Sequence, residues 1–239
     1  MTSLITLSHG SRHPKAVAGI EALTQRAAAL ADVAHWQCAH LEFNEPDLAT
    51  AAQQLAARGE TEAVVVPLLF TEGYHHRVDV PEAIAAAEEA SGLRLLRSDS
   101  LGTGADMAQV LAQRAGCQPQ CAPMTDHLVI YSVGSSNLQT NQAIARLAVR
   151  VSDLTGVSTS VAFATRGGRE DVAKQARIYS SVRVLPLFVT EGLLLDLLAE
   201  APAHVDSPLG VDLAGIVSHR FVHAAGLPYQ TRQLVQIGR

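Results

Sequence analysis

Two histidines and a glutamate stand at matching places in three successive stretches of the chain. His9 follows the apolar run Leu4-Ile5-Thr6-Leu7. Glu42 lies near the end of the segment His35 to Phe43, and His75 comes shortly after the run Ala63 to Phe70. Imidazole and carboxylate together suit borderline divalent ions such as Fe2+, Co2+, Ni2+ and Zn2+. Imidazole is also the side chain whose ordinary pKa lies closest to neutrality, so the same trio suits a proton-transfer centre. A single histidine at the end of a strand is more simply a surface or hydrogen-bonding residue. It is the recurrence of the pattern that points to chemistry.

The remaining polar candidates are weaker. Arg12, Arg77, Arg166 and Arg169 are possible partners for an acidic ligand, though solvated surface explains them equally, and Ser11 sits in the same loop as His9 and Arg12. His13 follows His9 by four residues, but Pro14 argues against a helical histidine pair, and His76 is expected to point away from a site that His75 faces. Asp79 either orients an imidazole or caps the next helix, and the cap is the preferred reading. Cys117 and Cys121 form one pair in a Pro/Gln-rich stretch with no second pair, a poor metal signature. Gly102-Thr103-Gly104 is too short to read as a phosphate loop.

The elements that must position the trio follow from hydrophobic pattern. Strands are expected at 4–7, 35–43, 63–70 and 93–96, and helices at 16–31, 46–58, 81–91 and 105–114, with Pro46 and Pro81 in the first turns of theirs. Continuous rather than alternating apolar strands, separated by helices, imply a parallel sheet buried on both faces. With strand order 2-1-3-4, the three chain ends carrying His9, Glu42 and His75 meet at one edge of the sheet, where open α/β folds hold ligands.

The pattern then repeats. His127 to Ser135 parallels Leu4 to Ser11, Pro186-Leu187-Phe188-Val189-Thr190-Glu191-Gly192 parallels Pro67-Leu68-Leu69-Phe70-Thr71-Glu72-Gly73, and Asp206-Ser207-Pro208-Leu209-Gly210 parallels Asp99-Ser100-Leu101-Gly102. Two similar α/β domains are expected, residues 1–118 and 119–239, joined through a linker near residue 120. In this pairing His9 falls opposite Val133, Glu42 opposite Ala162 and His75 opposite Leu194, so the donors are confined to the first half and the second is degenerate.

Composition narrows the function. The 239 residues are 48% hydrophobic, enough for a sizeable core, and the net charge of −5 offers no field for a nucleic-acid backbone. Aromatics at 4% leave few platforms for stacking bases. No apolar stretch reaches a membrane span, the N-terminus does not read as an export signal, and three cysteines do not make a disulfide framework. A cytoplasmic protein is expected. A histidine phosphatase is disfavoured because Ser8, not Arg, precedes His9.

Three segments carry a family resemblance: Ser8-His9-Gly10-Ser11-Arg12; Leu41-Glu42-Phe43-Asn44-Glu45-Pro46; and Pro67-Leu68-Leu69-Phe70 with Gly73-Tyr74-His75-His76-Arg77-Val78-Asp79-Val80-Pro81. Together they resemble the class II tetrapyrrole chelatases of the CbiX/SirB type. The resemblance implies two flavodoxin-like α/β domains facing a cleft. It implies insertion of a divalent metal into sirohydrochlorin, with His9 and His75 as catalytic histidines and Glu42 beside them at the metal. No organic cofactor is implied; Fe2+ or Co2+ is itself a substrate. Iron is favoured because the sequence shows no His-rich tract and no cysteine-rich extension for an iron–sulfur cluster. A fused pair of domains that supplies its own cleft is expected to be a monomer. A stoichiometric tetrapyrrole or metal carrier would need the same residues and is separated from an enzyme by turnover.

Overall fold

The computed structural model describes residues 2–71, 79–116 and 125–227. Among the described residues eight parallel strands make two sheets. β1 (Ser3–Ser8), β2 (Trp36–His40), β3 (Glu62–Pro67) and β4 (Arg94–Arg97) form one, in the order β2-β1-β3-β4. β5 (His127–Ser132), β6 (Thr159–Phe163), β7 (Val182–Pro186) and β8 (His204–Val205) form the other, in the order β6-β5-β7-β8. The expected strand order and the repeat are both present.

Helices α1 (Ala16–Leu30), α2 (Leu48–Ala56), α3 (Val80–Ser91) and α4 (Ala105–Gly116) alternate with the strands of the first half, and α5 (Leu138–Thr155), α6 (Gly168–Ile178), the one-turn α7 (Leu193–Asp196) and α8 (Ala214–Ala224) with those of the second. Among the described residues no helix is long and apolar enough to cross a membrane.

Strand alternation explains the layering. Leu4 and Thr6 face α1, where Thr6 and Thr24 hydroxyls lie 2.5 Å apart, while Ile5 and Leu7 face α2 and α3. Both faces are therefore buried, as the continuous apolar runs require. α1 buries Ala16, Ile20, Leu23, Thr24, Ala27 and Ala28, one helical stripe, in which the three alanines allow close approach.

The helices do not all stay with their own sheet. α8, from the end of the second half, packs on α1 and β3 of the first. α4, from the end of the first half, packs on α5 of the second. Arg183 of β7, 5% exposed, forks onto Asp206 and donates to the carbonyls of Arg114 and Ala115 at the end of α4. Leu4, Val64, Met107, Leu111, Ile130, Ile144, Val217 and Phe221 consequently belong to one apolar core lying between the sheets. Each half completes its inner layer with a helix of the other.

Several element ends differ from expectation, and β3 stops at Pro67 where 70 was expected. β2 stops at His40, and the chain then turns through Phe43, a non-glycine residue at φ 65°. α2 starts after Pro46, with Asp47 as its cap accepting the Thr50 N–H at 2.8 Å; that bond holds the Asp47 carboxyl below its usual range. Asp79 occupies the cap position of α3 but makes no side-chain capping bond there, and Pro81 is in the first turn as expected.

Candidate functional site

His9 leaves the end of β1 and Glu42 follows the end of β2. The two loops are tied by main chain: the Glu42 N–H donates to the His9 carbonyl at 2.9 Å, and the Leu41 N–H to that of Ser8 at 2.9 Å. Gly10, at φ +94°, lies so close that a Cβ there would come within 1.8 Å of the Glu42 carbonyl oxygen. Asn44 accepts the Ser11 N–H at 2.8 Å and Ser11 Oγ accepts the His13 N–H at 3.1 Å. The His9 ring meets Phe43 edge-on at 6.0 Å, and the Arg12 guanidinium lies 4.7 Å above the same ring. These bonds fix the direction in which His9 leaves the sheet.

The strand ends open onto a cleft of about 770 Å3, a size that suits a small-molecule ligand. One wall carries Ser8 to Arg12, His40 and Leu68 to Thr71, from the first half. The facing wall carries Ser132 to Ser135 and Leu187 to Leu194, from the second. Ile20 and Ile144 come from α1 and α5 on either side. α1 is held tightly against the second wall: Thr190 Oγ1 donates to the Ala16 carbonyl, and Gly19 leaves room where a Cβ would lie 2.1 Å from that hydroxyl.

Of the expected site residues, His9, Ser11 and Arg12 line the cleft. Glu42 contributes its main chain to the His9 loop, while its side chain is exposed and is not part of the lining. His75 and Arg77 lie outside the described residues, as do Cys117 and Cys121. Arg166 and Arg169 do not reach the cleft: both are exposed, and Arg169 is paired with Glu200 at 3.3 Å. Among the described residues no three His, Cys, Asp or Glu side chains stand close enough to hold one ion.

Register corrects one expected correspondence. Ser8 pairs with His40 as Ser132 pairs with Phe163, and the Thr165 N–H donates to the Val133 carbonyl at 3.1 Å as Glu42 does to His9. Glu42 is therefore matched by Thr165, a hydroxyl, and not by Ala162, which is buried inside β6. The length difference between halves falls after the second strand, where a 3-10 turn at Ala164–Arg166 replaces the longer Leu41–Asp47 loop. Val133 and Leu194, the counterparts of His9 and His75, both line the facing wall.

His40 was not singled out by sequence. It is 1% exposed, its Nδ1 lies 2.7 Å from Ser8 Oγ, and its Nε2 is buried with no hydrogen-bond partner. Burial pushes its pKa down, against a smaller opposing effect of Glu45. Only an imidazole at the last residue of a strand signalled it, opposite Phe163 in the repeat. Glu191 also lines the cleft, within the Pro186 to Gly192 segment that parallels Pro67 to Gly73.

Residues 3–117, the span that holds His9, Glu42 and His75, match the CbiX family model. The first half of the chain is similar to the CbiX family. Within it, the chain is 35% identical over 74 residues to a sirohydrochlorin cobaltochelatase of Sulfurisphaera tokodaii, covering 31% of this chain and 59% of that protein. It is 36% identical over 81 residues to one of Saccharolobus solfataricus, covering 31% and 63%. The chain thus spans less than two thirds of the length of these curated relatives. Two solved structures share the whole two-sheet fold with this chain. SirB from Bacillus subtilis with Fe3+ has a TM-score of 0.72 at 20% identity, over 95% of this chain and 97% of that one. A CbiX described as the terminal enzyme of sirohaem biosynthesis in denitrifying bacteria has a TM-score of 0.68 at 22% identity, over 94% and 99%.

Proposed function

We propose that the chain is a sirohydrochlorin chelatase, which places Fe2+ in the macrocycle and releases two protons. The observation that carries this is the cleft. It is walled by both sheets, presents His9 from one side and is otherwise largely apolar, which suits a flat macrocycle with a polar centre. Ile20, Leu68, Phe70, Ile144, Leu187 and Phe188 offer contact to the ring faces. Arg12 is the one cation among the described lining residues and has no ion-pair partner there, so it is available to a peripheral carboxylate. A chain of net charge −5 needs such a local positive group to admit an acidic ligand.

The chemistry replaces two N–H bonds by bonds to one metal ion. Each nitrogen keeps its electron pair for the metal and gives up a proton, and no redox step or organic cofactor is needed. His9 is the proposed contact to the incoming ion or to a departing proton. His75 is its proposed partner, because its repeat counterpart Leu194 lines the cleft. Glu42 acts with them only if its exposed side chain turns inward, and its established part is to brace the His9 loop. An incomplete donor set is in keeping with an ion that must move on. Co2+ is a second reading, favoured by the names of the archaeal relatives.

The test is an anaerobic absorbance assay with sirohydrochlorin in excess over protein and either Fe2+ or Co2+. Multiple turnovers above the uncatalysed rate are expected, lost in His9→Ala and in His75→Ala, with the Fe2+/Co2+ rate ratio assigning the metal. A change that stops at one equivalent of protein rejects catalysis in favour of a carrier.

A further inference from the structure

The two walls of the cleft are chemically unequal. The first-half wall holds His9, Arg12 and His40, whereas among the described lining residues of the second half Glu191 is the only titratable group. It is also the only carboxylate among the described residues that line the cleft. Glu191 follows β7, between Thr190, whose hydroxyl is anchored on α1, and Gly192, which precedes α7. Its side chain is half-buried, and no hydrogen bond or ion pair occupies it among the described residues. An unpaired carboxylate is an unfavourable neighbour for a ligand rimmed with carboxylates. A group so placed is useful only toward something positive.

We propose that Glu191 is a proton acceptor for the insertion reaction, acting from the wall opposite His9. This rests on the chelatase reading above. A macrocycle held between the walls exposes one face to the His9 side and the other to the Glu191 side. Metal approach on the imidazole side pushes the pyrrolic hydrogens toward the other face. One N–H bond breaks there, its electron pair remains on nitrogen and binds the metal, and the proton passes to a Glu191 Oε and on to solvent. The second proton leaves by the same carboxylate after it has discharged the first, or by an imidazole of the facing wall. Unlike His9, His75 and Glu42, this group comes from the half whose matched positions have lost their donors. The second half is thereby given a chemical part in the reaction.

The experiment compares wild type, Glu191→Gln and Glu191→Asp, all as full chains, with melting temperature as a control for folding. For Glu191→Gln, kcat is expected to fall by about a hundredfold, the scale of a general base. KM for the metal ion should be unchanged, and metal-free sirohydrochlorin should bind as tightly or more tightly, since a repelling charge is gone. Glu191→Asp should recover part of the rate. A wild-type kcat in Glu191→Gln overturns the proposal, and so does a raised metal KM with kcat retained, which makes the group a cation-docking site instead. Absence of turnover in the wild type overturns the chelatase reading and this inference together.

Discussion

His9 owes its position less to its own side chain than to the residues after it. Gly10 takes a left-handed conformation and lies against the Glu42 carbonyl, so any side chain there separates the β1 and β2 loops. Gly10→Ala is expected to lower turnover by about a hundredfold through displacement of His9, measured in the anaerobic insertion assay. Melting temperature should fall only modestly, because the loop lies outside the core. A second expectation at this scale concerns two buried imidazoles. Burial lowers the pKa of both His40 and His127, so each is neutral when folded and titrates near 6.5 when unfolded. Their contribution is complete above about pH 6.5 and is lost as pH falls below it toward the depressed folded values, since the unfolded chain then binds more protons. Denaturant midpoints should therefore decline between about pH 7 and 5. His127→Phe, which keeps the stack on Tyr179 at 4.2 Å, should decline less over that range. A midpoint equally pH-dependent in that variant rejects the assignment to His127.

At the scale of elements, most of the fold was legible because local pattern and burial coincide. Continuous apolar runs marked strands covered on both faces, and the helical stripe of α1 marked its buried side. Which sheet a helix would cover was not legible, because α4 and α8 are amphipathic in the same way whether they pack on their own half or the other. Glu42 was matched to the wrong residue for a related reason: the halves differ in loop length, and only the hydrogen-bonded register locates the difference. His40 was hidden because nothing in β2 sets its imidazole apart as a site residue, and Glu191 by its place in a motif common to both halves. The close contact of α1 with Thr190 can be tested directly. Gly19→Val is expected to destabilise the protein by about 1–3 kcal/mol through overpacking, read by denaturant unfolding. An unchanged midpoint shows that Thr190 yields at no cost.

The whole molecule is held by an exchange with its own symmetry. Arg114 on α4 donates to Asp212 at 2.9 Å and to the Ser207 and Pro208 carbonyls in the second half. Arg220 on α8 donates to Asp106 at 2.6 Å and to the Ser100 and Leu101 carbonyls in the first. The offset is the same for both residue types, 220 − 114 and 212 − 106 each being 106. Both guanidinium groups are mostly shielded from solvent, at 15% and 16% exposure. Arg114→Ala and Arg220→Ala are each expected to cost about 2 kcal/mol, the range for charge-assisted hydrogen bonds, and to add in the double variant because the sites are separate. Chemical denaturation of the four proteins checks this, and a double variant no weaker than either single one rejects it.

The exchanged helices also govern how a ligand enters. Two lobes joined by a single hinge can swing apart like a jaw, but here each lobe holds a helix of the other. Any such swing would strip α8 from α1 and β3, and α4 from α5, exposing the apolar core that both sheets share. The gap between the walls is consequently of fixed width. A flat guest would enter edge-first, as a letter enters a slot, and among the described residues it is the loops after β1, β2, β5 and β7 that are placed to yield to it.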